Sequence, residues 1–135
     1  RDWLMTMSLQ KMYERFSNLR IVSVENGSSF LPDLFRKLPQ QKNKLMGWFK
    51  EDPLELFKEH VWINPFWEDD PYEVADLMGP DRVVFGSDWP HIEGMPAPLD
   101  YVMELKEFSI DDQKKILLDN VSALNEPRPL LNGHR

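Results

Sequence analysis

Cysteine is absent from the 135 residues. A disulfide scaffold, a thiolate metal site and a cysteine nucleophile are excluded together. No apolar run approaches the roughly 20 residues that cross a bilayer, and mean hydropathy is −0.51, so neither a transmembrane helix nor a membrane partner is expected. Basic residues are in the minority, 16 Lys and Arg against 23 Asp and Glu, for a formal charge of −7 at pH 7. A general nucleic-acid binder needs the opposite balance to neutralise phosphates, so nucleic acid is not an expected partner. Arg1 is not followed by a basic region and an apolar core, so no signal peptide is expected, and the expected location is cytoplasmic. Also missing are His-x-His, His-Glu-x-x-His, Gly-x-Gly-x-x-Gly and Gly-x-x-x-x-Gly-Lys. Those short patterns announce zinc, dinucleotide or phosphate sites.

What remains is the composition of an ordinary folded domain, 41% hydrophobic and 29% charged, with a length that allows one domain or part of one. Charge is uneven. Residues 1–50 carry nine Lys and Arg against four Asp and Glu, and residues 51–135 carry seven against 19. Two solvated faces of one domain account for this, although the basic stretch from Lys42 to Lys50 would also suit an acidic partner.

Periodicity divides the chain into short elements. Leu9, Met12, Tyr13 and Phe16 recur at helical spacing and predict one amphipathic helix over about residues 3–17. Arg20–Glu25 is a β-rich run. Leu31, Leu34, Phe35 and Leu38 predict a helix that Pro39 stops. Asp52-Pro53 reads as an N-cap and first-turn proline of a helix to about Glu59. Val61–Ile63 is a second strand, ended by Asn64-Pro65. Asp70-Pro71 opens another helix, with Glu73 completing a capping box and Gly79-Pro80 closing it. Arg82–Gly86 is the third and most apolar strand. A proline- and glycine-rich loop follows to Pro98. Helices over about Leu99–Glu107 and Ile110–Leu118, the latter capped by Ser109, complete the chain.

The order is therefore α, then β-α three times. Strands separated by helices pair in parallel, because parallel neighbours need a long crossover. Three such strands close nothing by themselves. A complete eight-stranded barrel takes about 250 residues, so the chain reads either as part of one or as a small self-contained three-stranded α/β domain.

In α/β folds chemistry gathers at the C-terminal ends of strands. Those ends carry Glu25-Asn26-Gly27-Ser28, then Asn64-Pro65-Phe66-Trp67-Glu68, then Gly86-Ser87-Asp88-Trp89-Pro90-His91. Asp88 follows a very apolar strand and suits a divalent metal or a proton from bound water; a turn-forming Asp is the plainer alternative. His91 suits substrate contact, or simple surface hydrogen bonding. Glu25 calls for a partner, as a metal ligand or in a salt bridge. His60 stands at the N-terminal end of a strand, where stability is the usual role, and His134 is in the tail. A catalytic zinc takes three protein ligands, and these residues offer one persuasive ligand and one possible one.

The run Arg82-Val83-Val84-Phe85-Gly86-Ser87-Asp88-Trp89-Pro90-His91-Ile92-Glu93-Gly94 closely resembles the last barrel strand of the amidohydrolase-related family. That is the branch containing enzymes similar to aminocarboxymuconate-semialdehyde decarboxylase. The stretch from Phe16 to Gly27 resembles the family's lead into its sixth strand. Asp70-Pro71-Tyr72 with Gly79-Pro80-Asp81-Arg82 resembles the helix between strands seven and eight, and Ile116 to Val121 resembles the terminal helix. The resemblance implies the C-terminal part, about strands six to eight with flanking helices, of a (β/α)8 TIM barrel, residues 1–135 forming one partial domain. It implies a divalent metal, often zinc, at the barrel mouth, with Asp88 in the place of the eighth-strand aspartate. The family's His-x-His pair and fifth-strand histidine would lie upstream of Arg1. Decarboxylase-like members carry a histidine where this chain has Glu25, which leaves hydrolase branches open beside decarboxylases.

The expected function of the intact protein is a metal-dependent hydrolase of C–N or C–O bonds, or a non-oxidative decarboxylase. Asp88 is the expected catalytic and metal-binding residue. Glu25, Asn26, Phe66, Trp67 and His91 are expected to contact a small-molecule substrate, the aromatics suggesting an aromatic or conjugated acid. The alternative is a non-catalytic binding or assembly module that keeps part of the barrel. Uncovered strand edges make a homo-oligomer an expected state of the isolated chain.

Overall fold

A computed structural model describes residues 1–127. Its order is α1 (Asp2–Leu9), α2 (Met12–Arg15), β1 (Ile21–Ser23), α3 (Leu31–Lys44), α4 (Pro53–His60), β2 (Val61–Ile63), α5 (Pro71–Met78), a 3₁₀ turn Pro80–Arg82 and a 3₁₀ helix Pro98–Met103. A last helical run follows, α6 (Ile110–Lys114), a π-helical turn Lys115–Asp119 and α7 (Asn120–Asn125). His134 lies outside the described residues. No described helix is long and apolar enough to cross a membrane.

β1 and β2 pair in parallel with Ile21 opposite Val61 and Ser23 opposite Ile63. The third apolar run joins the other side of β2 through a parallel bridge between Ile63 and Val83, with the Val84 N–H donating to the Ile63 carbonyl at 2.9 Å. Successive strands are thus spatial neighbours, as helical crossovers dictate. Ile21, Val61, Ile63 and Val83 bury against Leu34, Leu38, Phe57, Val74 and Ile116. Val22, pointing the other way on the outer strand, is exposed.

Helix starts follow local chemistry. The Asp52 carboxylate accepts from the Leu54 N–H at 2.9 Å and that of Asp70 from the Tyr72 N–H at 2.8 Å, each with proline in the first turn. Ser109 caps α6 through the Asp112 N–H. Such caps satisfy amides that the helix itself cannot.

Four sequence expectations are corrected. The first helix is two, broken at Lys11, which adopts φ 57°. The break carries the Lys11 ammonium over the Trp48 ring, 4.3 Å from its centroid, and onto the Trp48 carbonyl at 3.2 Å. Pro39 does not end α3, which continues to Lys44. Its missing N–H costs one helical bond, but Leu34 and Leu38 are fully buried ahead of it, and Lys42 beyond it pairs with Asp52 at 2.7 Å. The third strand is a bridge at Val83 rather than a ladder over Arg82–Gly86, because the Phe85 N–H turns to the Ile116 carbonyl at 3.1 Å. The π turn frees that acceptor: the Asn120 N–H reaches back to Lys115, one residue further than an α-helix would send it. Finally, the expected helix from Leu99 is a 3₁₀ helix ending at Met103, held by buried Tyr101 stacked on Phe85 with centroids 4.6 Å apart.

Candidate active site

Each strand delivers its C-terminal loop to the same end of the sheet. Two residues beyond β1 stands Glu25, at φ 55°, and beyond the third run stands Asp88, at φ 53°. Side chains other than glycine seldom occupy this left-handed region, and such strain collects at functional sites. The two carboxylates share a cleft of about 320 Å³ lined by Glu25, Phe66, Trp67, Glu68, Gly86, Ser87, Asp88 and Glu93. The lining holds four carboxylates and no Lys or Arg.

Electrostatics follow from that crowding. Partial desolvation raises the Glu25 carboxyl above its ordinary range, and the Asp88 charge adds to the rise; His91 works weakly the other way. Asp88 keeps about a third of its side chain exposed and sits 3.1 Å, Oδ2 to Nδ1, from His91. The loop beyond Asp88 folds back on it. The His91 N–H donates to the Asp88 carbonyl at 2.8 Å and the Met95 N–H to the Ser87 carbonyl at 2.8 Å. Gly94 packs so tightly that a Cβ there would collide with the Asp88 carbonyl. Behind the cleft, a Cβ on Gly86 would stand 2.9 Å from the buried Asn64 Oδ1. The Asn64 amide is held by the Pro65 and Val84 carbonyls.

The structure therefore gathers Glu25, Phe66, Trp67 and Asp88 in one cleft, with His91 on Asp88 at its edge. Asn26 is placed differently: its amide turns back onto the Val24 carbonyl at 2.7 Å and it does not line the cleft. The Trp67 indole N–H is already engaged, donating to the Glu93 carbonyl at 3.1 Å, so this side chain presents a ring face and no free donor. Glu68, Gly86, Ser87 and Glu93 complete the lining; strand-end position could have nominated the first three, but Glu93 arrives only through the folded-back loop. His60 stands at the opposite end, buried, its Nδ1–H donating to the Leu19 carbonyl at 2.6 Å and its ring stacked on Tyr13.

Among the described residues no three His, Asp or Glu side chains stand close enough together to hold a metal ion. Asp88 fits one corner of a coordination sphere, and this wall does not make a whole one.

Parallel strands joined by helices, with charged residues collected at their C-terminal ends, are the arrangement that α/β barrels repeat around their axis. The comparisons make this specific. The amidohydrolase family model matches residues 2–124, and the chain belongs to that family. It is similar in structure to an amidohydrolase from Mycobacterium avium subsp. paratuberculosis, with TM-score 0.87 and 41% identity over 90% of this chain and 32% of that one. It also resembles 5-carboxyvanillate decarboxylase from Sphingomonas paucimobilis in fold, with TM-score 0.66 and 20% identity over 89% of this chain and 37% of that one. The chain thus spans about a third of the length of either structure. No curated protein sequence matches it. Members of the family generally use a divalent metal.

Proposed function

We propose that this chain supplies strands six to eight of an amidohydrolase-type barrel enzyme, a hydrolase of C–N or C–O bonds or a non-oxidative decarboxylase. The observation that supports it is the meeting of Asp88 and Glu25, from two different strand ends, in one aromatic-walled cleft. Asp88 is the reactive carboxylate. It holds its proton-accepting oxygen beside the His91 ring and stays partly open to solvent, the arrangement of a general base that exchanges protons with a neighbour. Where a divalent metal, zinc in this reading, is bound, Asp88 is the ligand this chain contributes, the others coming from outside it, and the ion supplies Lewis acidity. Glu25 faces Asp88 with a raised affinity for protons and serves as the second acid–base group. Phe66 and Trp67 offer ring faces to a flat small-molecule substrate. With four carboxylates and no cation in this wall, any acid group of the substrate is held by residues from elsewhere in the barrel.

The test is Asp88→Asn in the full-length protein. Turnover should fall by about 10²-fold or more, the scale of losing a general base, with little change in Tm; near-normal turnover would return Asp88 to a turn-forming role. The same reading leaves β1 an open edge with exposed Val22 and Val24, so the isolated chain should associate. A compact monomer by sedimentation at high concentration counts against the partial barrel and in favour of a self-contained module.

A further inference from the structure

Asp69 lies just beyond the cleft lining, yet three donors converge on one of its carboxylate oxygens. Oδ2 accepts from the Ser28 N–H and the Ser28 hydroxyl, each at 2.8 Å, and from the Phe66 N–H at 3.1 Å. Ser28 belongs to the loop after β1 and Phe66 to the loop after β2, so a single oxygen joins segments about 40 residues apart. Bonds to an ionised acceptor are about twice as strong as neutral ones, and a carboxylate oxygen accepts without needing to donate.

The join has something to resist. Glu25, three residues before Ser28, shares its cleft with the carboxylates of Glu68, Asp88 and Glu93, and its backbone is held in the left-handed region. Repulsion and strain both favour swinging that loop out of the cleft. Against this, Gly27 is pressed onto the Phe66 ring so closely that a Cβ would lie 2.8 Å from a ring carbon. Asp69 bonds the residue after Gly27 and the backbone of Phe66 itself, closing this contact from both sides. The Trp67 indole makes the corresponding tie from the second loop to the third.

We propose that Asp69 is a positioning residue for the cleft: by latching the loop after β1 to the loop after β2 it sets where Glu25 and the Phe66 ring stand relative to Asp88. Its importance for turnover rests on the reading of the cleft as the reaction centre, while the latch itself is read by geometry.

The experiment is amide hydrogen exchange on the whole chain for wild type, Asp69→Ala, Asp69→Asn and Ser28→Ala. The Ser28 and Phe66 amides, which donate to Asp69, should exchange about tenfold or more faster in Asp69→Ala, the scale of losing hydrogen bonds to a charged group. Asp69→Asn, which keeps a carbonyl acceptor, and Ser28→Ala, which removes only the hydroxyl bond, should fall between. The ladder of β1 on β2, extended by the Asn64 N–H on the Ser23 carbonyl, should be unchanged. Unaltered loop exchange overturns the latch, as does equal loosening of the ladder, which would make Asp69 a general stabiliser. If both Asp69 variants fail to fold, Ser28→Ala decides by the same criterion. Loosened loops in a protein whose Asp88→Asn variant keeps its turnover uphold the latch and remove only the reading of the cleft as reaction centre.

Discussion

The two ends of the short sheet are built on opposite principles. At the N-terminal end, cationic and amide donors meet backbone carbonyls. Arg20 donates to the Ala123 and Glu126 carbonyls at the end of α7, Arg82 donates to the Lys58 carbonyl and lies 4.6 Å over Trp62, and Asn120 donates to the Pro80 and Val83 carbonyls. The Asn120 pairing relieves the buried Val83 carbonyl, an acceptor that folding would otherwise leave without water. At the C-terminal end, carboxylates crowd one another, two non-glycine residues take left-handed backbone, and glycines sit where side chains would collide. One end pairs its cations and amides with carbonyls, and the other stores charge and strain. That division is the one α/β barrels use to separate stability from chemistry.

Substitutions at the two ends should therefore behave differently, the largest effect first. Asn120→Ala takes the donor from the buried Val83 carbonyl and leaves the Pro80 carbonyl only the Val83 N–H, so it should cost about 2 kcal/mol of stability, at roughly 1–3 kcal/mol per unsatisfied buried group. Urea unfolding gives the value, and a loss under 1 kcal/mol would erase the contrast from its structural side. Gly86→Ala forces a Cβ against Asn64, whose amide cannot retreat without losing two acceptors. The expected cost is about 1–2 kcal/mol, within the usual range for overpacking, and, on the proposed reading of the cleft, turnover of the full-length protein should drop further than this predicts because Asp88 is two residues away. Equal, proportionate losses would show that the cleft backbone tolerates displacement.

Asp52→Ala, away from both ends, removes the cap of α4 and should cost about 1 kcal/mol, measured by thermal unfolding at pH 7. Burial opposes ionisation of Asp52, but Lys42 and the Leu54 N–H outweigh it and hold its carboxyl below the usual range. A carboxyl depressed in the folded state stabilises above its unfolded pKa of about 4, and that contribution disappears as pH falls through the lower folded value. The Asp52→Ala deficit should accordingly shrink in acid.

Glu25→Gln should produce the smallest change and the opposite sign. Its carboxyl is raised in the fold, so ionisation opposes folding above the folded pKa and has no effect below the unfolded pKa of about 4.3. The variant should melt slightly higher than wild type at pH 7 and equally at pH 3.5, the gain kept small by solvent screening at this exposed position. A lower Tm at pH 7 would mean that Glu25 has a stabilising partner and that the charged end is not frustrated.

Several features were legible in the residues because they depend on neighbours within a turn. Asp52, Asp70 and Ser109 cap helices from three-residue patterns, and Val61–Ile63 reads as a strand and is one. The strand-helix alternation dictates parallel order, and strand order alone puts Glu25, Phe66, Trp67 and Asp88 at one end of the sheet. Tertiary structure decided what depends on residues far apart in the chain. Lys11 breaks a helix to reach Trp48, and α3 runs through Pro39 because its apolar face is already buried. Phe85 leaves the ladder for a carbonyl that a π turn frees 31 residues later, and Trp67 gives its indole N–H to Glu93. Asp69 looks like an ordinary loop carboxylate until folding brings Ser28 and Phe66 to the same oxygen. Hydrogen-bond satisfaction is a property of the assembled surface, and local propensity does not specify which distant donor will arrive at a given acceptor.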